Sequence, residues 1–236
     1  MDVQEASAEK GADGHEAVLR AVDAGYRARD YRSFEFVNCE VRRGEVHALL
    51  TCRGVDARDF LLAAAGYVTP TEGAVEPVEG DGRRCLLRDV VRCGFIEGVN
   101  DVAPSMSVER ALACELALAG RPHAVADVLD LASEFLLATH VDMRVGSIDP
   151  ASRARLGAAL ACAWEPDVVA VDLASAALPP AEGRRTVEVL RAYAQGHGTA
   201  FLVATASPEL ASAADAVTAM DMDARDLLVA FSEGIA

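Results

Sequence analysis

Lys10 is the only lysine among 236 residues, and the rest of the 22 Lys+Arg residues are arginine. A mechanism that needs a lysine in a folded active site therefore has almost nothing to draw on. Carboxylates are plentiful, and a few stand out by position. Asp172 ends the apolar run Val168–Val171, where a carboxylate can hold a metal or be an ordinary structural aspartate. Asp56 and Asp59 flank Ala57-Arg58 just before the apolar stretch Phe60–Ala65, a place where an aspartate caps a helix. Cys39, Cys52, Cys85, Cys93, Cys114 and Cys162 form no CxxC pair. They read as reduced, mostly buried cysteines of a cytosolic protein and not as a metal site.

These residues need elements to hold them. From Ser33 to Val41 apolar and polar residues alternate (Phe34, Phe36, Cys39, Val41) with a slip near Val37 and Asn38, which predicts a half-buried strand. Arg43-Gly44 turns the chain, and Val46–Leu50 reads as a short buried strand of a parallel sheet. Residues 51–56 are expected as a loop, and Phe60–Ala65 as a helix closed by Gly66. After the turn Thr69–Gly73, strand-like pieces follow around 74–78, 85–91 and 94–97. Helices are predicted over Ser107–Ala119 and Ala124–Thr139. The second carries Val125, Val128, Leu129, Ala132, Phe135, Leu136 and Thr139 at helical spacing. A third helix starts at Asp149-Pro150 and runs to Trp164. Val168–Asp172, Glu182–Gln195, Ala200–Thr205, a helix opened by Ser207-Pro208-Glu209 and Val217–Met220 then alternate strand and helix. That order means a parallel sheet covered by helices.

The formal net charge is −15 with 52% hydrophobic residues, which excludes disorder and argues against non-specific binding to nucleic acid or anionic lipid. No apolar run approaches the roughly 18 residues of a membrane helix. Residues 1–16 read as a flexible polar tail without the basic start and apolar stretch of a signal peptide. Residues 17–236 are expected as one domain, with a core over 17–102 and 151–236 and a helical lobe over 103–150.

From about Tyr26 to Asp221 the order and spacing resemble the ATP-binding subunit of an ABC transporter. The clearest stretch is Arg43-Gly44-Glu45-Val46-His47-Ala48-Leu49-Leu50, a short loop, then Phe60–Gly66 and Pro70-Thr71-Glu72-Gly73. Glu165-Pro166-Asp167-Val168-Val169-Ala170-Val171-Asp172 resembles the strand that ends in the family's magnesium-site aspartate. The resemblance implies an α/β fold of the P-loop NTPase kind. It has a mostly parallel core sheet, an N-terminal antiparallel β portion and an inserted helical lobe.

The resemblance also places the family's chemistry on residues unsuited to it. The phosphate loop G-x-x-x-x-G-K-[ST] works through backbone amides, a lysine and a magnesium-binding hydroxyl. It falls on Thr51–Arg58: Asp56 stands at the second glycine, Ala57 at the lysine and Arg58 at the hydroxyl, with Asp59 next. Nucleotide-binding positions, if any survive, are Tyr26, Arg53, Gly54, Asp56, Ala57, Arg58 and Asp59. Tyr26 or Tyr31 is the candidate to stack on adenine, the alternative being a core or surface tyrosine. Asp172 is the metal position, Leu173 takes the place of the catalytic glutamate and Ala206 that of the switch histidine. Gly98 or Glu97 replaces the glutamine that links nucleotide to membrane partner. The signature LSGGQ falls on Ile148, Asp149, Pro150, Ala151 and Ser152, a good helix cap and a poor phosphate ligand.

The leading expectation is therefore a catalytically silent subunit with no cofactor, a scaffold or regulator beside a membrane permease and a second ATP-binding subunit. It would be cytoplasmic, at the inner face of a membrane, with a weak homodimer or none and no nucleic acid. Gly98, Val99, Val102 and Met106 are the candidate docking residues, an inter-lobe linker being the alternative. Two other readings stand beside it: an ATPase that still binds or hydrolyses ATP with Mg through a deviant loop, Arg53 or Arg58 replacing the lysine, and a soluble interaction protein that keeps the fold and binds no nucleotide.

Overall fold

The computed structural model describes residues 16–28, 31–52, 54–78, 85–176 and 178–220. In chain order its elements are β1 (Ala17–Ala28), β2 (Tyr31–Arg42), β3 (Val46–Thr51), α1 (Gly54–Ala64), β4 (Glu72–Pro77), α2 (Leu87–Val90) and β5 (Val91–Cys93). They continue with α3 (Val108–Leu118), α4 (Val125–Glu134), α5 (Pro150–Cys162), β6 (Val168–Asp172), α6 (Pro180–His197), β7 (Ala200–Thr205), α7 (Pro208–Ser212) and β8 (Ala216–Met220).

Every residue of β3, β6 and β7 is buried. Strands of that kind need cover on both faces, which parallel sheets obtain from their crossover helices. The sheet order is β5-β6-β7-β3-β8, all pairs parallel, so the three apolar runs picked out in the sequence are direct neighbours. Side chains alternate across it. Val169, Val171, Leu173, Phe201 and Val203 face a layer containing α3, α4, α5 and α6. Val168, Ala170, Ala200, Leu202 and Ala204 face α1 and a second, antiparallel sheet of order β2-β1-β4. α1 thus lies between the two sheets.

The antiparallel sheet explains the slip in the β2 pattern. Phe34, Val37, Cys39 and Val41 are buried, whereas Phe36 is 69% exposed and takes a left-handed φ of +51°. That is a bulge: one extra residue turns the alternation over. Asp23 on β1 is left-handed too, and the Asn38 side chain ties the two irregular points together, accepting from the Asp23 N–H and donating to its carboxylate. The same shift hides β1 from a period-two reading, because its buried residues Val18, Leu19, Ala21 and Ala24 do not alternate.

Four sequence expectations are corrected. The cysteines are not mostly buried: only Cys39 and Cys162 are, while Cys52, Cys85 and Cys114 are exposed. Residues 85–97 hold one turn of helix (α2) and the three-residue β5 where two strand-like pieces were expected. α1 starts at Gly54, six residues before the predicted Phe60. The predicted Ala124–Thr139 helix stops at Glu134, where Leu136 adopts φ +54°. Leu137 N–H donates to Ala132 C=O and Leu136 N–H to Ser133 C=O, the paired bonds of a left-handed helix cap. Its buried face is Val128, Leu131, Ala132 and Phe135, while Val125, Leu129 and Leu136 are exposed.

One close approach of two glycines fixes the core. Gly94, just past β5, crosses Gly157 in the middle of α5, and a Cβ on Gly157 would stand 2.5 Å from the Phe95 backbone nitrogen. Near this crossing lies Trp164, the only tryptophan. Its indole N–H donates to Glu115 of α3 at 2.8 Å, and the Arg92 guanidinium of β5 covers its ring at 4.5 Å. His47, on β3, is 5% exposed, and its Nε2 lies 2.8 Å from the Thr218 hydroxyl on the edge strand β8.

Gly157→Ala should destabilise the protein by about 1–3 kcal/mol in urea unfolding, although alanine is the better helix former by ~1 kcal/mol, because the clash is with backbone. An unchanged or higher midpoint would refute the close crossing. Burial pushes the His47 imidazole down from 6.5 to about 4. Its contribution is present above the unfolded value of 6.5 and lost as pH falls towards 4, by about 3 kcal/mol in all. His47→Gln cannot charge, so its unfolding midpoint should lose less over that window than the parent's.

Candidate nucleotide site

β3, β6 and β7 lie side by side with their carboxyl ends on one edge, Leu50 paired with Thr205 and Asp172 with Ala204. Ligands of open α/β sheets bind off this edge. The fold therefore brings the predicted phosphate-loop stretch, the metal position Asp172 and the positions Leu173 and Ala206 to one place.

What stands there is largely engaged with itself. Asp56, in the first turn of α1, is fully buried, and the Tyr31 hydroxyl donates to its Oδ1 at 3.5 Å. Ala57 is fully buried in the layer between the two sheets. Arg58 and Asp59 are half-buried. The Arg58 guanidinium comes up beside Gly98, which takes φ +74°, and its buried Nε has no acceptor among the described residues. Gly54 opens α1, and Arg53 lies outside the described residues.

Asp172 is 7% exposed, and both of its oxygens are used within its own turn. Oδ1 accepts from the Ser175 N–H at 3.0 Å and Oδ2 from the Ser175 hydroxyl at 2.6 Å. Leu173 is buried in the helical layer, its N–H bonded to Ala204 C=O. Ala206 is exposed and presents only a methyl group, while Thr205 accepts from the Ser207 N–H and Ser207 caps α7.

The signature segment repeats the pattern. Asp149 caps α5, accepting from the Ser152 N–H at 2.9 Å and the Ser152 hydroxyl at 2.6 Å, and Pro150 fills the first helical position. Burial alone would raise the Asp149 carboxyl; the Ser152 hydrogen bonds and nearby Arg155 outweigh it and hold the group below its ordinary value. Ile148, Ala151 and Ser152 are buried. Arg155 is 5% exposed and donates to Ser152 Oγ at 3.0 Å, closing an Asp149–Ser152–Arg155 chain. Sequence reading missed that chain; the three-residue spacing of Asp149, Ser152 and Arg155 on one helix face was its available signal.

Of the candidate docking residues, Gly98 and Val99 are exposed, whereas Val102 and Met106 are half-buried and pack on the helical-side core. The start of α5 touches this stretch: Arg153 pairs with Asp101 at 2.5 Å and covers the Phe95 ring at 4.9 Å. Tyr26 stacks on Phe34 with centroids 6.3 Å apart, so one face is taken by the core. Of the two tyrosines, Tyr31 is the one at the amino end of α1. Among the described residues no helix is long and apolar enough to cross a membrane.

No protein-family model matches the chain. It is 29% identical over 190 residues to the lipoprotein-releasing system ATP-binding protein LolD of Novosphingobium aromaticivorans, covering 77% of this chain and 84% of that one. It is 27% identical over 220 residues to the methionine import ATP-binding protein MetN of Mesorhizobium japonicum, covering 89% of this chain and 59% of that one. Among solved structures it resembles cbiO1 of Clostridium perfringens, part of the ABC transporter complex cbiONQ, with a TM-score of 0.72, 17% identity and 93% of each chain covered. It also resembles a nucleotide-free ATP-binding cassette from an ABC transporter, with a TM-score of 0.69, 12% identity, and 92% of this chain and 96% of that one covered. The homologues of this chain are therefore ATP-binding subunits of ABC transporters, and its own fold is that of an ABC ATPase domain.

Proposed function

We propose that this chain is a transporter subunit of the ATP-binding type that does not turn over ATP. It acts as a scaffold or regulator beside a membrane permease and a second ATP-binding subunit. The observation that carries the reading is the lysine count: residues 11–236 contain none, so no lysine stands between β3 and α1 to reach a terminal phosphate.

The residues present do not fit ATP and Mg²⁺ at this edge. A helix amino end attracts anions, but here a buried carboxylate, Asp56, occupies its first turn and Asp59 adds a second negative group. Ala57 points into the core, Asp172 is turned onto Ser175, and Leu173 can neither accept a proton nor orient water. At the amino end of α5, Asp149 presents an acceptor and Pro150 has no N–H. In a paired arrangement the chain would weaken its own site and the partner's alike. ATP would then not hold a homodimer together. Permease contact falls to the exposed residues of 98–106, which are Gly98, Val99, Asp101, Ala103, Pro104 and Ser105, and it needs shape and no nucleotide.

A second reading, ATP binding without turnover, has one observation in its favour: the buried Arg58 Nε at the amino end of α1, which has no acceptor among the described residues. Arginine neutralises phosphate well.

Purified protein should show no Mg-dependent phosphate release above background, and calorimetry should show no micromolar ATP affinity. Steady release that survives controls would overturn the proposal. Micromolar binding that disappears in Arg58→Met, with no turnover, would establish the second reading instead. Co-purification from native membranes with a permease and a second ATP-binding subunit tests the scaffold role, and a chain recovered wholly soluble and partnerless would refute it.

A further inference from the structure

The loop that leaves β5 is closed around one half-buried side chain, Asn100. Its Oδ1 accepts from the Ile96 N–H at 2.8 Å. Its Nδ2 donates to the Gly94 C=O at 2.7 Å and to the Cys93 C=O at 3.3 Å. The Val99 and Asn100 N–H groups both donate to the Ile96 C=O, and Gly98 takes φ +74° between them and Ile96. The points that Asn100 grips are themselves fixed. The Gly94 N–H donates to the Ala170 C=O of β6 at 2.8 Å, and the Ile96 side chain is fully buried. On the far side of the clamp, Asp101 pairs with Arg153 of α5. Val99 lies between these two ties and is exposed.

We propose that Asn100 is a positioning residue: it fixes the 94–101 loop, and with it Val99, in one docking pose that needs no nucleotide. An amide is the side chain that fits the place. Its partners are one N–H and two carbonyls, and asparagine offers one acceptor oxygen and two donor hydrogens. Aspartate would keep the acceptor but set its second oxygen against the two carbonyls. Alanine would leave all three backbone groups to water. A loop that relays the state of a nucleotide has to change shape, and here the backbone turn is already closed and matched to one amide. Arg58 of α1 does reach this loop from the nucleotide edge, but it arrives beside Gly98, which gives it no side chain to move. A partner therefore meets a preformed surface, and docking requires no ordering of the loop. The use made of the pose rests on the proposed reading of 98–106 as the partner-facing segment; the clamp itself does not.

Hydrogen exchange of the full chain, followed by mass spectrometry, tests the clamp in Asn100→Ala and Asn100→Asp against the parent. Peptides spanning 94–101 should exchange several-fold faster in both variants, while peptides of β6 and α5 keep the parental rate. ATP with Mg²⁺ should leave exchange of the parent's 94–101 peptides unchanged. In tagged chains recovered from native membranes at equal abundance, both variants should carry several-fold less of the permease that accompanies the parent. Parental exchange at 94–101 in both variants overturns the clamp. So does a rise shared equally by β6, which would mean a general loss of stability, or a shift at 94–101 when ATP is added to the parent. Faster exchange with undiminished permease recovery overturns the positioning role. A parent that carries no permease refutes the partner-facing reading instead, and exchange alone then decides the clamp.

Discussion

Three adjacent strands with no exposed residue set the terms for the rest of the molecule. β3, β6 and β7 cannot remain in water on either face, so each side of the sheet has to be covered by apolar surface from elsewhere in the chain. On one side α5 and α6 provide it, with α3 and α4 packed behind. On the other, α1 does so, itself roofed by the antiparallel sheet. Because the strands run in one direction, their carboxyl ends meet at one edge. The turns that leave this edge carry Asp56, Asp172 and Thr205.

At that edge several polar groups are bonded from within the chain, while the buried Arg58 Nε has no acceptor among the described residues. Asp172 is bonded twice by Ser175, and Asp149 twice by Ser152. Ser207 caps α7, and Asp56 receives the Tyr31 hydroxyl. Loops that serve a ligand generally keep donors free for it; here aspartate side chains take up the donors of their own turns. The outline is that of an ABC ATPase domain, with these aspartates bonded inside their own turns.

The parallel core of the sheet was readable because Val46–Leu50, Val168–Asp172 and Ala200–Thr205 are short apolar runs at spacings that demand crossovers; the strand order was not. What escaped the reading did so for local reasons. β1 was hidden by register shifts near Ala21 and Ala24, which break alternation without weakening pairing. Leu136 ended α4 by adopting a conformation usually left to glycine, so nothing in its type warned of the stop. At the candidate site the positions of Asp56, Asp172, Leu173 and Ala206 came from the resemblance to the ABC family. The bonds that occupy them did not. Whether Asp172 faces a cation or its neighbour Ser175 depends on the conformation of a turn, and turn conformation is set by the surrounding packing. The Asp149–Ser152–Arg155 chain is of the same kind: helical spacing allows it, and burial of Arg155 brings it about.

Trp164 stands where α3, α5 and β5 converge, held by Glu115 and covered by Arg92. No second indole contributes to the ultraviolet emission of this chain. Its fluorescence is therefore a site-specific gauge of that junction and needs no engineered label. Trp164 is 37% exposed, so a blue shift on mixing with another molecule would mean that the partner had covered it. Quenching without a shift would mean a changed partner at the indole N–H or over the ring.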